Sequence, residues 1–154
     1  MKPSVYLETS FISYLTGPTS QNIITAANQH ITREWWENRR FEFDLFVSEL
    51  VIDEIRQGRV TESAKRLAIL KDIPTLTLDN EAVELALAFL QDKGVPNQAA
   101  PDAYHIAMAT VHKINYLLTW NGKHIANAQI QPKLRQISQQ RGYELSTLCT
   151  PYQL

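Results

Sequence analysis

Short apolar runs rich in β-branched and aromatic residues recur along this chain, each separated from the next by a helix-length stretch rather than a tight turn. Residues 5–8, 43–47, 75–78, 116–120 and 143–148 read as strands. Between them, residues 23 to about 40 carry Ala26, Ala27, Ile31 and Trp35 at three- and four-residue spacing, the period of a helix. Residues 62–71, 81–92, the segment opened by Asp102 and residues 132–140 read as further helices, and Ser48 stands where it can cap the helix after the second strand. Strands joined through helices cannot pair as hairpins. They must lie parallel, in a sheet covered by helices on both faces. Ligands of such sheets collect at the carboxyl ends of the strands, near a switch in strand order.

Composition narrows the class of protein. The chain has 154 residues, with no repeat, low-complexity tract or linker to divide it, so one domain over 1–154 is expected. An apolar fraction of 44% and a charged fraction of 20% are ordinary for a globular protein with a real core. A net charge of −1 supplies no global basic field, so any contact with nucleic acid rests on local patches. Cys149 is the sole cysteine, which permits no internal disulfide and fits a reducing, cytoplasmic setting. The apolar run before Glu8 is far too short for a membrane span. A phosphate-binding loop of the Gly-x-Gly-x-x-Gly or P-loop kind is missing, and five glycines leave little material for one.

The acidic residues carry the functional signal. Glu8 closes Val5-Tyr6-Leu7, Glu54 sits among Leu50, Val51 and Ile55, and Asp102 opens Ala103-Tyr104-His105-Ile106-Ala107. Asn121, whose side-chain oxygen can also bind a cation, closes Leu117-Leu118-Thr119-Trp120. A carboxylate at a strand end or on an apolar helix face is costly unless paired, and a divalent cation makes several such placements tolerable together. On a helical wheel Glu54 falls near the centre of the face formed by Val47, Leu50, Val51 and Ile55, with Glu49, Asp53 and Arg56 opposite. Each residue also has a plain structural reading. Glu54 would reach water if its helix were rotated, Asp102 would be an N-cap, and Asn121-Gly122 would be a turn. Favouring a site for Asp102 is the small stripe Ala103, Ala107 and Thr110, which lets its helix approach the sheet closely. His30, His105, His112 and His124 lack the spacing of a zinc site, so structural roles are expected of them.

Taken in order, Tyr-Leu-Glu-Thr-Ser at 6–10, Ser48 with Glu54-Ile55, Pro101-Asp102-Ala103-Tyr104-His105-Ile106-Ala107 and Leu117-Leu118-Thr119-Trp120-Asn121 resemble the PIN-domain family. The likeness is greatest to VapC-type ribonuclease toxins of bacterial toxin–antitoxin pairs. It implies a three-layer α/β/α sandwich around a mostly parallel five-stranded sheet. It also implies a site for Mg²⁺ or Mn²⁺ formed by Glu8, Glu54, Asp102 and Asn121, with Thr9 as the small hydroxyl residue after the first acid. Hydrolysis of single-stranded RNA, a small antitoxin as partner and a homodimer using the Trp35–Trp36 helix follow from the same resemblance. Two positions depart from the family pattern: Glu8 replaces an aspartate, and His124 stands where many members have a further acid. Those departures keep a rival in view, a catalytically silent PIN-like module that binds RNA or protein. Arg33, Arg39, Arg40, Lys123 and Trp120 are the residues expected to guide a strand of RNA.

Overall fold

The computed structural model describes residues 1–154. Five strands, β1 (Ser4–Leu7), β2 (Asp44–Ser48), β3 (Thr75–Leu76), β4 (Tyr116–Leu118) and β5 (Thr147–Cys149), form one sheet in the order β3-β2-β1-β4-β5. All pairings are parallel, with Val5 opposite both Leu45 and Tyr116. The helices are α1 (Thr9–Thr16), α2 (Ile23–Asn38), α3 (Glu49–Arg56), α4 (Val60–Leu70), α5 (Asn80–Gln91), α6 (Ala100–Val111) and α7 (Gln131–Gln140). They divide into two groups: α1 contacts α2, α3 and α4, whereas α5 contacts α6 and α7. This is the expected α/β/α sandwich. No helix is long and apolar enough to cross a membrane.

Several elements differ from the sequence reading. α1 follows β1 after a single residue, and its apolar positions Phe11 and Ile12 are fully buried; eight residues are too few for the helical period to register clearly. β3 is limited to Thr75–Leu76 at the sheet edge, because Thr77 and Leu78 have no further strand to pair with. β5 starts at Thr147, four residues later than expected, since the segment from Gly142 is a loop whose Ser146 N–H donates to Thr110 Oγ1 and whose Ser146 hydroxyl donates to the Ile114 carbonyl.

β1 lies at the centre of the sheet, and Val5, Tyr6 and Leu7 have no exposed surface. Neighbouring strands run outward from it in opposite sequence order, so the switch point lies beside β1. Trp35 is core, packed edge-on to Phe11 and stacked on Phe43, while Trp36 is half-buried with Arg40 over its ring. Cys149 is buried, and burial pushes its thiol up to about 11, so it stays protonated at neutral pH and is no nucleophile.

α6 is the most deeply buried helix, and Ala103, Ala107 and Ala109 have no exposed surface. A larger side chain there would push α6 away from its neighbours. Ala107→Leu is therefore expected to destabilise the protein by about 1–3 kcal/mol in urea unfolding. An unchanged midpoint would show that the small stripe is not a close contact.

Candidate metal centre

The parallel sheet brings chain-distant residues to one end. Glu8 follows β1, Thr119 follows β4, and Glu54 lies on α3, the helix that leaves β2. Ser48 caps α3 by accepting from Val51 N–H, as its position suggests.

Glu8 is buried, 6% exposed, and is the N-cap of α1. Its Oε2 accepts from Ser10 N–H at 3.1 Å, and its Oε1 accepts from the hydroxyls of Ser10 and Thr119, each at 2.5 Å. Those hydroxyls are themselves held, Ser10 Oγ by Trp120 N–H and Thr119 Oγ1 by Asn121 N–H. The extra methylene of glutamate lets the carboxylate fold back onto this cap.

Glu54 departs from its expected place at the centre of an apolar face. Val51 and Ile55 are buried, but the Glu54 side chain is 33% exposed and lies at the edge of that face. Its Oε1 accepts from Thr9 Oγ1 and from His105 Nε2, the latter at 2.6 Å. Oε2 has no protein donor.

Asp102 is the third residue of α6 and makes no capping bond; Ala99 is the N-cap and has no side chain to cap with. The carboxylate instead accepts from His124 Nδ1 at 3.2 Å. The capping interpretation of Asp102 thus finds no support. Asn121 is a turn residue: its Oδ1 accepts from Lys123 N–H and His124 N–H. Its side-chain nitrogen has no protein partner, and the direct use of Oδ1 by a cation would compete with both of those bonds.

His105 was the residue missed by the sequence reading. Ligand atoms of Glu8, Glu54 and His105 lie within 4.8 Å of one another, and the imidazole experiences the negative charge of Glu8, Glu54 and Asp102 together. Its signal was the i, i+3 spacing from Asp102, which places both on one face of α6. By contrast, Arg39 and Arg40 do not approach the carboxylates. Arg39 stands over Phe43 at the amino end of β2 and pairs with Glu42, and Arg40 lies against Trp36 and Phe41. Arg33 donates to the Gly17 carbonyl. Lys123 is exposed beside Asn121, and half-buried Trp120 stacks on Tyr14 at 5.8 Å.

Residues 5–130 match the family model of the PIN domain. The chain belongs to the PIN-domain family. No curated protein sequence matches it. Among solved structures, this PIN domain resembles VapC20 of Mycobacterium tuberculosis, described as a sarcin-ricin-loop-cleaving toxin, at 16% identity and a TM-score of 0.62, over 79% of this chain and 92% of that one. It also resembles a protein of a toxin–antitoxin complex from Klebsiella pneumoniae, at 18% identity and a TM-score of 0.60, over 82% and 94% of the two chains. A third likeness, at 16% identity and a TM-score of 0.50, over 77% and 88% of the two chains, is to VapBC2 of Rickettsia felis bound to a fragment of its promoter DNA.

The donor set of this PIN domain suits a hard divalent cation. Glu8 and Glu54 come together with His105, the charge of Asp102 reaches the same imidazole from outside that cluster, and no lysine or arginine pairs with any of the three carboxylates. Burial raises the Glu54 carboxyl, but the hydrogen bond and charge of His105 and the Thr9 hydroxyl outweigh it and hold the group below its ordinary value of 4.5. Burial likewise lowers His105, but its bond to Glu54 and the charges of Glu8, Glu54 and Asp102 outweigh burial and raise it above 6.5.

These shifts fix how the metal-free protein responds to pH. The lowered Glu54 contributes stability that is present above its unfolded value near 4.5 and is lost as pH falls through the lower folded value. The raised His105 contributes stability that is complete below its unfolded value near 6.5 and is lost as pH rises through the higher folded value. Thermal melts in chelator are expected to show the greatest contribution of the pair between those two values, 4.5 and 6.5. His105→Asn should remove the decline above 6.5. A decline of the same size in that variant would show that another group causes it.

Proposed function

We propose that this PIN domain is a divalent-metal-dependent endoribonuclease that hydrolyses phosphodiester bonds of single-stranded RNA, as the toxin of a toxin–antitoxin pair. The observation that carries the proposal is the close approach of Glu8 and Glu54 beside His105 at the carboxyl end of the sheet, with the charge of Asp102 acting on the same imidazole and no lysine or arginine counter-charge. Family membership and the fold shared with a toxin described as cleaving the sarcin-ricin loop support the same activity.

Glu8, Glu54 and Asp102 would hold Mg²⁺ or Mn²⁺, with Asn121 joining the site through a water. When bound, such an ion orients the scissile phosphate, activates water and stabilises charge on the leaving oxygen. The residues themselves divide the remaining work. Glu54, kept ionised by His105 and Thr9, orients the attacking water through Oε2, the oxygen without a protein donor. Asn121 offers its unpartnered side-chain nitrogen to a phosphate oxygen. Ser10 and Thr119 fix the Glu8 carboxylate so that it need not reorganise as substrate enters. Trp120 and Lys123, within two residues of Asn121 in sequence, give an unpaired strand an aromatic face and a positive charge, and base–aromatic stacking contributes about 1–3 kcal/mol per base.

A small antitoxin is the proposed protein partner. The convergent carboxylates repel one another when no cation is bound, and a basic side chain of a partner inserted among them relieves that repulsion. The proposed homodimer uses the face of α2 that carries Trp36; at the amino end of the same helix Ile23 and Ile24 are largely exposed. Cytoplasmic RNA is the proposed setting of the reaction.

Purified protein is expected to cleave single-stranded RNA with Mg²⁺ or Mn²⁺ and to fall silent in chelator. Asp102→Asn should abolish cleavage while leaving the melting temperature close to wild type. Cleavage that survives chelation, or full activity in that variant, would remove the mechanism; a folded, metal-loaded protein that cleaves no RNA would be a binding module instead. In cells, expression alone should slow growth, and co-expression with the short reading frame beside the gene should restore it through a complex that co-purifies. Harmless expression of folded, metal-loaded protein would refute the toxin role while leaving a nuclease possible.

A further inference from the structure

Behind Glu54 lies a buried chain of hydrogen bonds that ligand binding alone does not explain. His105 is 1% exposed, and its two ring nitrogens are both engaged: Nε2 with Glu54 Oε1 at 2.6 Å and Nδ1 with the Tyr6 hydroxyl at 2.6 Å. Tyr6 has no exposed surface, and its hydroxyl lies 2.7 Å from Ser48 Oγ, which accepts from Val51 N–H. With the imidazole neutral, one proton arrangement satisfies every member. Ser48 donates to Tyr6, Tyr6 donates to His105 Nδ1, and His105 donates from Nε2 to Glu54.

The chain ties together the three elements that supply the carboxylates. Tyr6 is on β1, two residues before Glu8 and on the same face of the strand. Ser48 caps α3, which carries Glu54. His105 is one turn beyond Asp102 on α6. With Thr9 also donating to Oε1, two donors fix one oxygen of Glu54 and leave the other without a protein donor.

We infer that His105, set in place by Tyr6, is a positioning residue for the metal centre: it fixes the Glu54 carboxylate against Glu8 and Asp102 and determines which oxygen is offered. The inference rests on the metal-dependent reading of the site. His105 is not a ligand in this arrangement, because its Nε2 proton points at Glu54.

The test is calorimetric titration of Mn²⁺ and Mg²⁺ into the metal-free full-length protein, with melting curves to confirm folding. His105→Asn retains a polar group near Nδ1 but loses the donor to Glu54. Loss of such a supporting partner is expected to weaken both ions by the same factor, about 10-fold or more. His105→Gln places an amide nitrogen near the position of Nε2 and should restore most of the affinity. Tyr6→Phe keeps the packed ring, removes only the hydroxyl and should weaken both ions to a smaller extent. Should His105→Asn fail to fold, Tyr6→Phe decides alone. Wild-type affinity in the folded variants would overturn the inference. So would a loss confined to Mn²⁺ and not rescued by glutamine, which would make His105 a ligand, since imidazole favours transition metals. Failure of the folded wild type to bind either ion would instead defeat the nuclease reading on which the inference stands.

Discussion

Repulsion between the Glu8 and Glu54 carboxylates, with Asp102 adding its charge on the same imidazole, is the constraint around which this end of the molecule is organised. Two unit charges at the 4.8 Å limit of the Glu8–Glu54–His105 cluster repel by about 3.5 kcal/mol at an effective dielectric of about 20. The chain meets that repulsion with neutral donors and imidazoles rather than with lysine or arginine. One oxygen of Glu8 takes two hydroxyls, one oxygen of Glu54 takes a hydroxyl and an imidazole, and Asp102 takes His124. Hydroxyls and neutral imidazoles stabilise ionised carboxylates without cancelling their charge. Negative potential therefore remains for a cation, whereas buried arginines would have removed it.

Sheet topology explains why residues about fifty to a hundred positions apart meet. β1 lies between β2 and β4, all three run in parallel, and whatever follows each strand emerges at the same end. Glu8, the cap of α3 and Thr119 are thereby neighbours before any side chain is chosen. α6 adds Asp102 and His105 because its alanines allow close packing. Glutamate at position 8 fits this geometry through the local cap: its carboxylate returns to Ser10 N–H, and Ser10 and Thr119 complete its shell. The site is built around the longer side chain.

The sequence made the strand–helix alternation, the Ser48 cap and the buried small stripe of α6 legible, because each depends on local periodicity or on a residue's own chemistry; of the four acidic or amide positions it singled out, the structure brings Glu8 and Glu54 into one cluster. Glu54 was misplaced within its face because a helical wheel carries no information about what covers its rim. α1 was missed because Glu8, an uncommon N-cap, conceals the start of a short helix. Arg39 and Arg40 were expected near a substrate from charge alone, but their helix delivers them to the opposite end of the sheet, where Glu42, Phe43 and Trp36 engage them. His105 escaped because a histidine within Tyr-His-Ile-Ala reads as a core residue, and its partners lie on two other elements.

The same partners make stability an inadequate explanation of the buried Tyr6–His105 pair. A fully buried polar network gains little over well-packed apolar residues of similar shape, because every hydrogen bond it makes replaces one to water. Phenylalanine and leucine would fill much of this space within the apolar core without desolvating polar groups. What apolar residues lack is direction. A carboxylate at the rim of a cleft, one-third exposed, has several rotamers open to it, and a metal centre tolerates only one. Hydrogen bonds restrict that choice where contact area cannot. The polar seam through the core converts the rigidity of β1 and α6 into the orientation of a single oxygen on α3.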